Sequence, residues 1–323
     1  MKYYVLTPWG ETGGLEALHQ ICSTLNEIGE ESFIYYYNNN ASQTHKDEFV
    51  PKYSEYNLKS CDVGNIASLD EDNNVLIVPE VFPIKFIENL QNCKIVFWRL
   101  SIFTHGQEIN LPVFQKVYHG CQSDTSFKIL KESGLFNQRQ FFMLSDYINL
   151  IYLQEEKNLK KNRENIILFN PKKGIKHTQN ILSILSKKVS PEKNIKVVPL
   201  SGMTNSQIRN LILNSKIYID FGDHPGKDRI PRECASGGCV VITGTQQCGK
   251  NNKDIPIETK FEYNQHSDSY DYDSVADFIL KSIDEYDFYF EQQKEYRNLI
   301  RKEKEIFSDE VKKMVSIISR NEV

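Results

Sequence analysis

Short runs of apolar residues alternate with helical patterns along most of the chain, and this alternation strongly constrains the fold. Between the apolar runs at residues 3–6 and 32–37, apolar side chains recur at helical spacing from Leu15 to Leu25. Strands that are apolar on both faces are typical of parallel sheets that carry helices on both sides. The sequence therefore predicts an α/β fold built from doubly wound sheets.

The alternation occurs twice, with a charged, asparagine-rich segment at residues 154–165 between the two halves. Further strands are predicted in the first half at 75–78, 94–98 and 113–118, and in the second half at 166–169, 195–199, 216–220 and 239–243. At about 150 residues per domain, 323 residues also suggest two domains. We predict Rossmann-like domains at 1–153 and 154–290, followed by a helical segment at 291–323.

Charge and composition exclude several classes of protein. The chain has 39 basic and 43 acidic residues, a net charge of −4, which argues against a nucleic-acid partner or a surface for anionic lipid. No apolar stretch approaches the roughly 20 residues of a membrane helix, and the N-terminus does not resemble a signal peptide. Seven scattered cysteines without a C-x-x-C pair are typical of reduced thiols. We expect a cytoplasmic protein.

The most informative segment begins where a predicted strand ends at Asp220. A glycine-containing loop follows, and Pro231 is expected to start a short helix. Lys227 and Arg229, next to free backbone N–H groups, have the chemistry to neutralise a diphosphate. The carboxylate of Glu233, one turn into the helix, can accept hydrogen bonds from sugar or ribose hydroxyls. The alternative is a solvated surface cluster of charges.

Residues 233–241, with the sequence ECASGGCVV, resemble the E-x-x-A-x-G-x-x-V-V segment of GT-B glycosyltransferases. The resemblance implies two Rossmann-like domains that face each other across a cleft, with the nucleotide-sugar donor held by the C-terminal domain. It assigns Glu233 to the ribose or sugar of the donor. Retaining families carry a second glutamate seven residues earlier; here that position is Gly226, so a retaining mechanism is not implied.

The resemblance extends to other parts of the chain. Gly13 and Gly14 match the N-terminal glycine loop that approaches the donor, and the helix at 291–318 would cross back to the first domain. Lys172 and Lys173 lie where such enzymes often carry a phosphate-binding cation, although an exposed turn is the alternative. The predicted donor-binding residues are Gly13, Gly14, Lys172, Lys173, Gly226, Lys227, Arg229, Arg232 and Glu233.

The resemblance also implies that neither a cofactor nor an essential metal is needed, because cationic side chains and a helix N-terminus take the place of the metal. Asp271 and Asp273 match the letters of a D-x-D metal motif, but they directly precede a predicted helix. Acidic residues are favoured at that position as caps. We therefore predict a capping role for this pair and no metal site.

A catalytic base has to come from the first domain if the reaction inverts the sugar configuration. The candidates are Glu80, which directly follows a predicted strand, Glu11 in the glycine loop, and His105. A retaining enzyme does not require such a base, so the stereochemistry stays open.

These observations predict a glycosyltransferase that moves a sugar from a nucleotide diphosphate to a glycan or lipid-linked glycan, in bacterial surface polysaccharide or glycoconjugate synthesis. Weak peripheral contact with a membrane is compatible with this prediction. Three alternatives stay open: a non-hydrolysing nucleotide-sugar epimerase, a non-catalytic scaffold that binds nucleotide sugars, and an enzyme that transfers a phosphoryl-type group to a glycan.

Overall fold

The computed structural model describes residues 1–10, 12–38, 40, 42, 44, 55–56, 58–61, 63–101, 109–159 and 162–320. The chain forms two compact units. The first unit contains Met1–Asp146 and Lys304–Val323, and the second contains Tyr147–Glu303. The unit boundaries therefore differ from the predicted ranges of 1–153, 154–290 and 291–323.

Apolar packing explains both differences. Ile148 and Tyr152 are buried in the same cluster as Leu168, so the residues before the charged segment fold with the second unit. Tyr296 and Ile300 belong to that cluster as well, so the first part of the C-terminal helix also packs in the second unit.

The first unit is a six-stranded parallel sheet with the strand order β2-β1-β3-β4-β5-β6. Its strands are β1 (Lys2–Pro8), β2 (Glu31–Tyr37), β3 (Asn74–Pro79), β4 (Lys94–Arg99), β5 (Tyr118–Cys121) and β6 (Phe141–Met143). Its helices are α1 (Gly13–Glu27), α2 (Ile84–Ile87) and α3 (Asp124–Ser133). Because β3 is buried along its whole length, the sheet is covered on both faces, as the unbroken apolar runs predict.

One predicted strand of this unit is wrong. Residues 113–118 do not form a strand: a 3₁₀ helix covers Pro112–Lys116, and β5 begins only at Tyr118. Proline at the first turn favours the helix, and the side chain of Phe114 supplies the buried apolar group. The strand itself contains His119 and Gly120, which do not give an apolar pattern.

The second unit is a five-stranded parallel sheet with the order β11-β10-β9-β7-β8. Its strands are β7 (Glu164–Phe169), β8 (Lys196–Pro199), β9 (Ser215–Asp220), β10 (Val240–Gly244) and β11 (Lys260–Phe261). Its helices are α4 (Ile175–Lys188), α5 (Asn205–Asn214), α6 (Arg229–Ser236), α7 (Tyr272–Asp284) and α8 (Tyr286–Gln292). The predicted fold class, two doubly wound α/β units, is confirmed.

The last helix, α9 (Lys294–Ser319), contributes to both units. In the first unit the ring of Phe307 stacks on Trp98 with centroids 6.2 Å apart, and Glu310 accepts hydrogen bonds from Ser145. The Nζ of Lys94 donates to the carbonyl of Ile318 at 2.9 Å. The C-terminal helix thus returns to the first unit, as predicted.

Candidate functional site

In doubly wound sheets, ligands bind beyond the carboxyl ends of the strands, at the point where the strand order reverses. In the second unit the chain runs from β7 to β8 on one side and returns to β9 on the other side. The reversal therefore lies between β7 and β9. The loop after β7 contains Lys172 and Lys173, and the loop after β9 contains Gly226 and Lys227, so the fold brings the two predicted cationic segments to this point.

The two loops touch each other backbone to backbone. A Cβ atom on Gly222 would lie 2.8 Å from the backbone nitrogen of Gly174, and a Cβ on Gly174 would lie 2.5 Å from the nitrogen of Gly222. Gly174 also has a φ of +54°, which is a left-handed conformation that favours glycine. The two glycines therefore determine how closely the loops approach.

The helices that follow these loops begin without a side-chain cap. Neither α4, which starts after Gly174, nor α6, which starts after Asp228, has a capping side-chain hydrogen bond. The short helices α2 and α8 also lack one, whereas α1, α3, α5 and α7 have one. An uncapped helix N-terminus keeps its first N–H groups available to an anion. The structure also corrects the predicted start of α6, which begins at Arg229 and not at Pro231.

Three of the predicted donor-binding side chains lie at the start of α6 and are partly accessible. The side chains of Lys227, Arg229 and Glu233 are 17%, 9% and 12% exposed. The Nε of Arg229 lies 3.8 Å from the Oε1 of Glu233, one turn along the helix. Gly226 is buried in the loop between these elements, and Lys172 is exposed.

Arg232 does not have the position of a donor-binding residue. Its guanidinium is 1% exposed and donates to the carbonyls of Asp228 at 3.1 Å and Lys227 at 2.7 Å. It also pairs with the carboxylate of Glu303 at 2.8 Å, which in turn lies 3.2 Å from the Nζ of Lys227. Arg232 therefore fixes the main chain of the loop.

Lys173 also departs from its predicted role. Its ammonium lies 2.5 Å from the Oδ1 of Asp228, and the other oxygen of that carboxylate lies 2.8 Å from the Nδ1 of His224. Asp220 accepts hydrogen bonds from the hydroxyl of Tyr218 at 2.9 Å and from the nitrogen of Gly222 at 3.2 Å. We call Lys173, Asp228, His224 and Asp220 the charge network.

Asp220, His224 and Asp228 bring their ligand-type atoms within 4.8 Å of one another, and these residue types bind divalent cations. The ammonium of Lys173, however, already contributes a positive charge to the same carboxylate. We therefore interpret the three residues as part of an ion-pair network. Asp271, from the D-x-D letters, caps α7 by accepting from the nitrogen of Ser274 at 3.1 Å, as predicted.

In the first unit the strand order reverses between β1 and β3. Gly13 and Gly14 form the first turn of α1, which Thr12 caps by accepting from the nitrogen of Leu15. A Cβ on Gly14 would lie 3.5 Å from the side chain of Leu100, which is an ordinary contact, so packing does not explain the glycine.

Glu80 directly follows β3 and is therefore next to this reversal. Its side chain is 7% exposed, and one carboxylate oxygen accepts from the nitrogen of Leu100 at 3.1 Å. Burial raises the pKa of Glu80 to about 7, although this hydrogen bond and the guanidinium of Arg99 act in the opposite direction. The other two candidate bases, Glu11 and His105, lie outside the described residues.

Comparison with solved structures identifies the architecture. Sucrose-phosphate synthase from Thermosynechococcus elongatus superposes with a TM-score of 0.68 at 10% identity, with 99% of each chain covered. HepE from Anabaena, determined in complex with UDP and glucose, gives 0.62 at 11% identity, with 98% of this chain and 99% of that chain covered. WaaG, a glycosyltransferase involved in lipopolysaccharide biosynthesis, gives 0.59 at 12% identity, with 96% and 99% covered. The chain has the GT-B fold.

The resemblance noted in the sequence is thus confirmed at the level of the GT-B architecture. No protein-family model matches the chain, and no curated protein matches it in sequence. None of the helices in the described part of the chain combines the length and the apolarity that a membrane crossing requires.

Sequence reasoning missed several residues of the second unit that lie at this strand reversal. Glu303 lies 71 residues after Arg232, so only the path of α9 in the fold reveals the pair. His224 and Asp228 did offer a local signal, because they flank Gly226 and Lys227 at a spacing of four residues in a loop between a strand and a helix.

Proposed function

We propose that this protein is a glycosyltransferase that uses a nucleotide-diphosphate sugar as its donor. One observation carries the proposal: at the strand reversal of the second unit, two uncapped helices begin at loops that touch each other, and Lys227 and Arg229 lie at the start of one of these helices. A diphosphate fits this arrangement, because backbone N–H groups, helix dipoles and cations all stabilise its negative charge.

The same groups would act on the reaction itself. When the glycosidic bond to the donor breaks, negative charge develops on the departing nucleoside diphosphate, and fixed cations stabilise that charge most strongly where water is excluded. Lys227 and Arg229 are held in place by carboxylates of the unit, which favours such fixed positions. Lys172, which is exposed at the neighbouring loop, is the third cation available to the diphosphate.

Glu233 is assigned to the hydroxyl groups of the ribose or of the donor sugar. It lies on the first turns of α6, one turn after Arg229, so the two side chains act on adjacent parts of one ligand. We propose that no metal is required, because the side chains and the helix ends already provide the positive charge.

Glu80 is the best candidate for the base that deprotonates the acceptor hydroxyl. With a pKa of about 7 its carboxyl is half ionised near neutral pH, which suits a group that has to take up a proton and release it again. The first unit would therefore carry the acceptor. A glycan of a surface polysaccharide or glycoconjugate is the proposed acceptor class, supported by the glycosyltransferase of lipopolysaccharide biosynthesis that shares the fold.

A thermal-shift panel of UDP, GDP, CDP, CMP and ADP tests the donor site, with the wild type and Arg229→Ala measured side by side. At ten times its Kd, a nucleotide adds about 1.4 kcal/mol to the free energy of unfolding, a rise of roughly 2–3 °C in Tm. We expect at least one nucleoside diphosphate to stabilise the wild type and to lose most of this effect in the variant. An unshifted Tm with all five nucleotides would contradict the proposal.

A second assay separates transfer from the alternatives. The nucleotide sugar that corresponds to the stabilising nucleotide is incubated with and without a glycan acceptor, and released nucleoside diphosphate is measured. Release that depends on the acceptor supports a glycosyltransferase. Conversion of the sugar without acceptor indicates an epimerase, and binding without any turnover indicates a scaffold.

A further inference from the structure

The loop that connects β9 to α6 is held by charged side chains that pair with one another. Asp228, at the end of this loop, receives the ammonium of Lys173 on one oxygen and the imidazole of His224 on the other. Lys173 comes from the loop after β7, so this carboxylate ties the two loops of the strand reversal together. We propose that the charge network is a protonation-dependent latch: protonated His224 holds residues 222–229 in the conformation that presents Lys227 and Arg229.

His224 lies where the charge of its imidazole affects how firmly the loop is held. Its side chain is fully buried, and its Nε2 has no hydrogen-bond partner in the part of the chain that is described, so Asp228 is the main anchor of the ring. The carbonyl of His224 accepts from the nitrogen of Cys248 at 3.0 Å, in the loop after β10. A shift of His224 would therefore move the contacts with a third loop as well.

The groups that face His224 decide which form is stable. Burial by itself lowers the pKa of His224, but the carboxylates of Asp220 and Asp228 outweigh it and raise the pKa above 6.5, against the opposing charge of Lys173. Burial also raises the pKa of Asp220, while hydrogen bonds from His224 and Lys173 keep the pKa of Asp228 low. As the pH rises through the pKa of His224, the imidazole loses its charge and the loop loses this part of its attachment.

The consequence for the donor rests on the proposed function. Lys227 and Asp228 are adjacent, and Arg232 binds both of their carbonyls, so a change at Asp228 is passed to the main chain of the cationic residues. Lys173 is then a positioning residue that acts through Asp228, and it is not a phosphate ligand. Donor affinity should fall as His224 loses its proton.

Nuclear magnetic resonance of histidine-labelled protein tests the network without any ligand. The signal of His224 is identified by its absence from the spectrum of His224→Gln. His266→Gln, which changes an exposed histidine of the same unit, is the control for this assignment. We expect His224 to titrate above its ordinary value of about 6.5. Lys173→Met should raise the titration midpoint further, because it removes a neighbouring positive charge, whereas Lys172→Met should leave it unchanged.

Hydrogen exchange of the amides at 222–229, corrected for the intrinsic pH dependence, measures the latch itself. Protection should decrease as the pH rises through the midpoint of His224 in the wild type and in Lys172→Met. In Lys173→Met the decrease should move to higher pH together with that midpoint. If His224→Gln does not fold, Lys173→Met and Lys172→Met still provide the comparison. The proposal would be overturned by a His224 titration midpoint at or below 6.5. It would also be overturned if the protection of these amides did not change at that midpoint.

Binding of the nucleotide found in the thermal-shift panel separates this proposal from the proposed function. We expect its Kd to increase by roughly tenfold across the His224 titration, because the hydrogen bond from His224 to Asp228 loses its charge assistance. If no nucleotide binds while His224 and the loop behave as expected, the donor assignment fails and the latch stands. If a nucleotide binds with the same Kd on both sides of the midpoint, the latch does not control the donor site and the proposal is wrong.

Discussion

The two strand reversals of this protein share one topology but carry different chemistry. In the first unit two helices follow the strands at the reversal: Thr12 caps α1, whereas α2 has no side-chain cap. Glu80, between β3 and α2, has a buried carboxyl. In the second unit both helices at the reversal are uncapped, and Lys227 and Arg229 lie at the start of α6. A capped helix has little to offer an anion, and a buried carboxyl repels one. The difference agrees with the proposed function, in which the second unit binds the diphosphate of the donor and the first unit binds a neutral acceptor that has to lose a proton.

The largest effect is expected on turnover, from a change in the first unit. Glu80→Gln removes the proposed base while keeping its size, so the kcat for transfer should fall by about 10²–10⁴-fold. Nucleotide binding should not change, because the donor is assigned to the second unit. Glu88→Gln, which changes an exposed glutamate of the first unit, is the matched control. Equal turnover in the wild type and Glu80→Gln would remove Glu80 from the mechanism.

Arg232→Met tests the support beneath the cationic loop of the second unit. The change leaves two main-chain carbonyls and part of Glu303 without a buried partner, so the free energy of unfolding should fall by about 3 kcal/mol. Denaturant unfolding measures this cost. The double variant with Glu303→Gln should lose less than the sum of the two single changes, because it removes the unpaired charge. Additive losses would show that the pair is not coupled.

The pH dependence of the free energy of unfolding tests whether burial raises the pKa of Glu80. Its carboxyl ionises at a pH near 4.5 when the chain is unfolded and at about 7 in the folded protein. Stability from this group is therefore fully present below pH 4.5 and is lost as the pH rises towards 7. Glu80→Gln should be more stable than the wild type at pH 8, by up to about 3 kcal/mol, and similar to it at pH 4. A variant less stable than the wild type at pH 8 would show that the carboxylate is well accommodated.

A smaller effect is expected from Gly222→Ala. Its Cβ would lie 2.8 Å from the backbone of Gly174, so the loops have to separate, at a cost of about 1–2 kcal/mol in unfolding free energy. Gly64→Ala is the control, because nothing lies within 4 Å of the added carbon there. Nucleotide binding should weaken in Gly222→Ala only. An unchanged Kd would show that the spacing of the loops does not matter for the donor.

The sequence was sufficient to predict the fold because strand and helix patterns are local. The apolar runs and glycine turns predict two doubly wound units, which the structure shows. The segment around Glu233 predicts a donor site on the second unit, and this stays a prediction. Residues 113–118 were mispredicted because the real strand contains His119 and Gly120, and an isolated strand cannot show that its neighbours bury them.

The roles of individual cations could not be predicted in the same way. Lys172 and Lys173 are adjacent and chemically identical in the sequence, yet one is exposed and the other is tied to Asp228, 55 residues away. Arg232 and Arg229 differ likewise, because the position of Glu303 depends on the path of the last helix. Which cation is available to a ligand is decided by contacts between distant segments.

The contact between Gly174 and Gly222 also limits how this protein can be altered. Because a side chain at either position would force the two loops apart, the segments after β7 and β9 have to be exchanged together if their spacing is to be kept. A chimera that takes one of these segments from another protein would have to take the second segment from the same protein. Directed evolution of the proposed donor site should therefore randomise both segments in one library and keep the two glycines fixed.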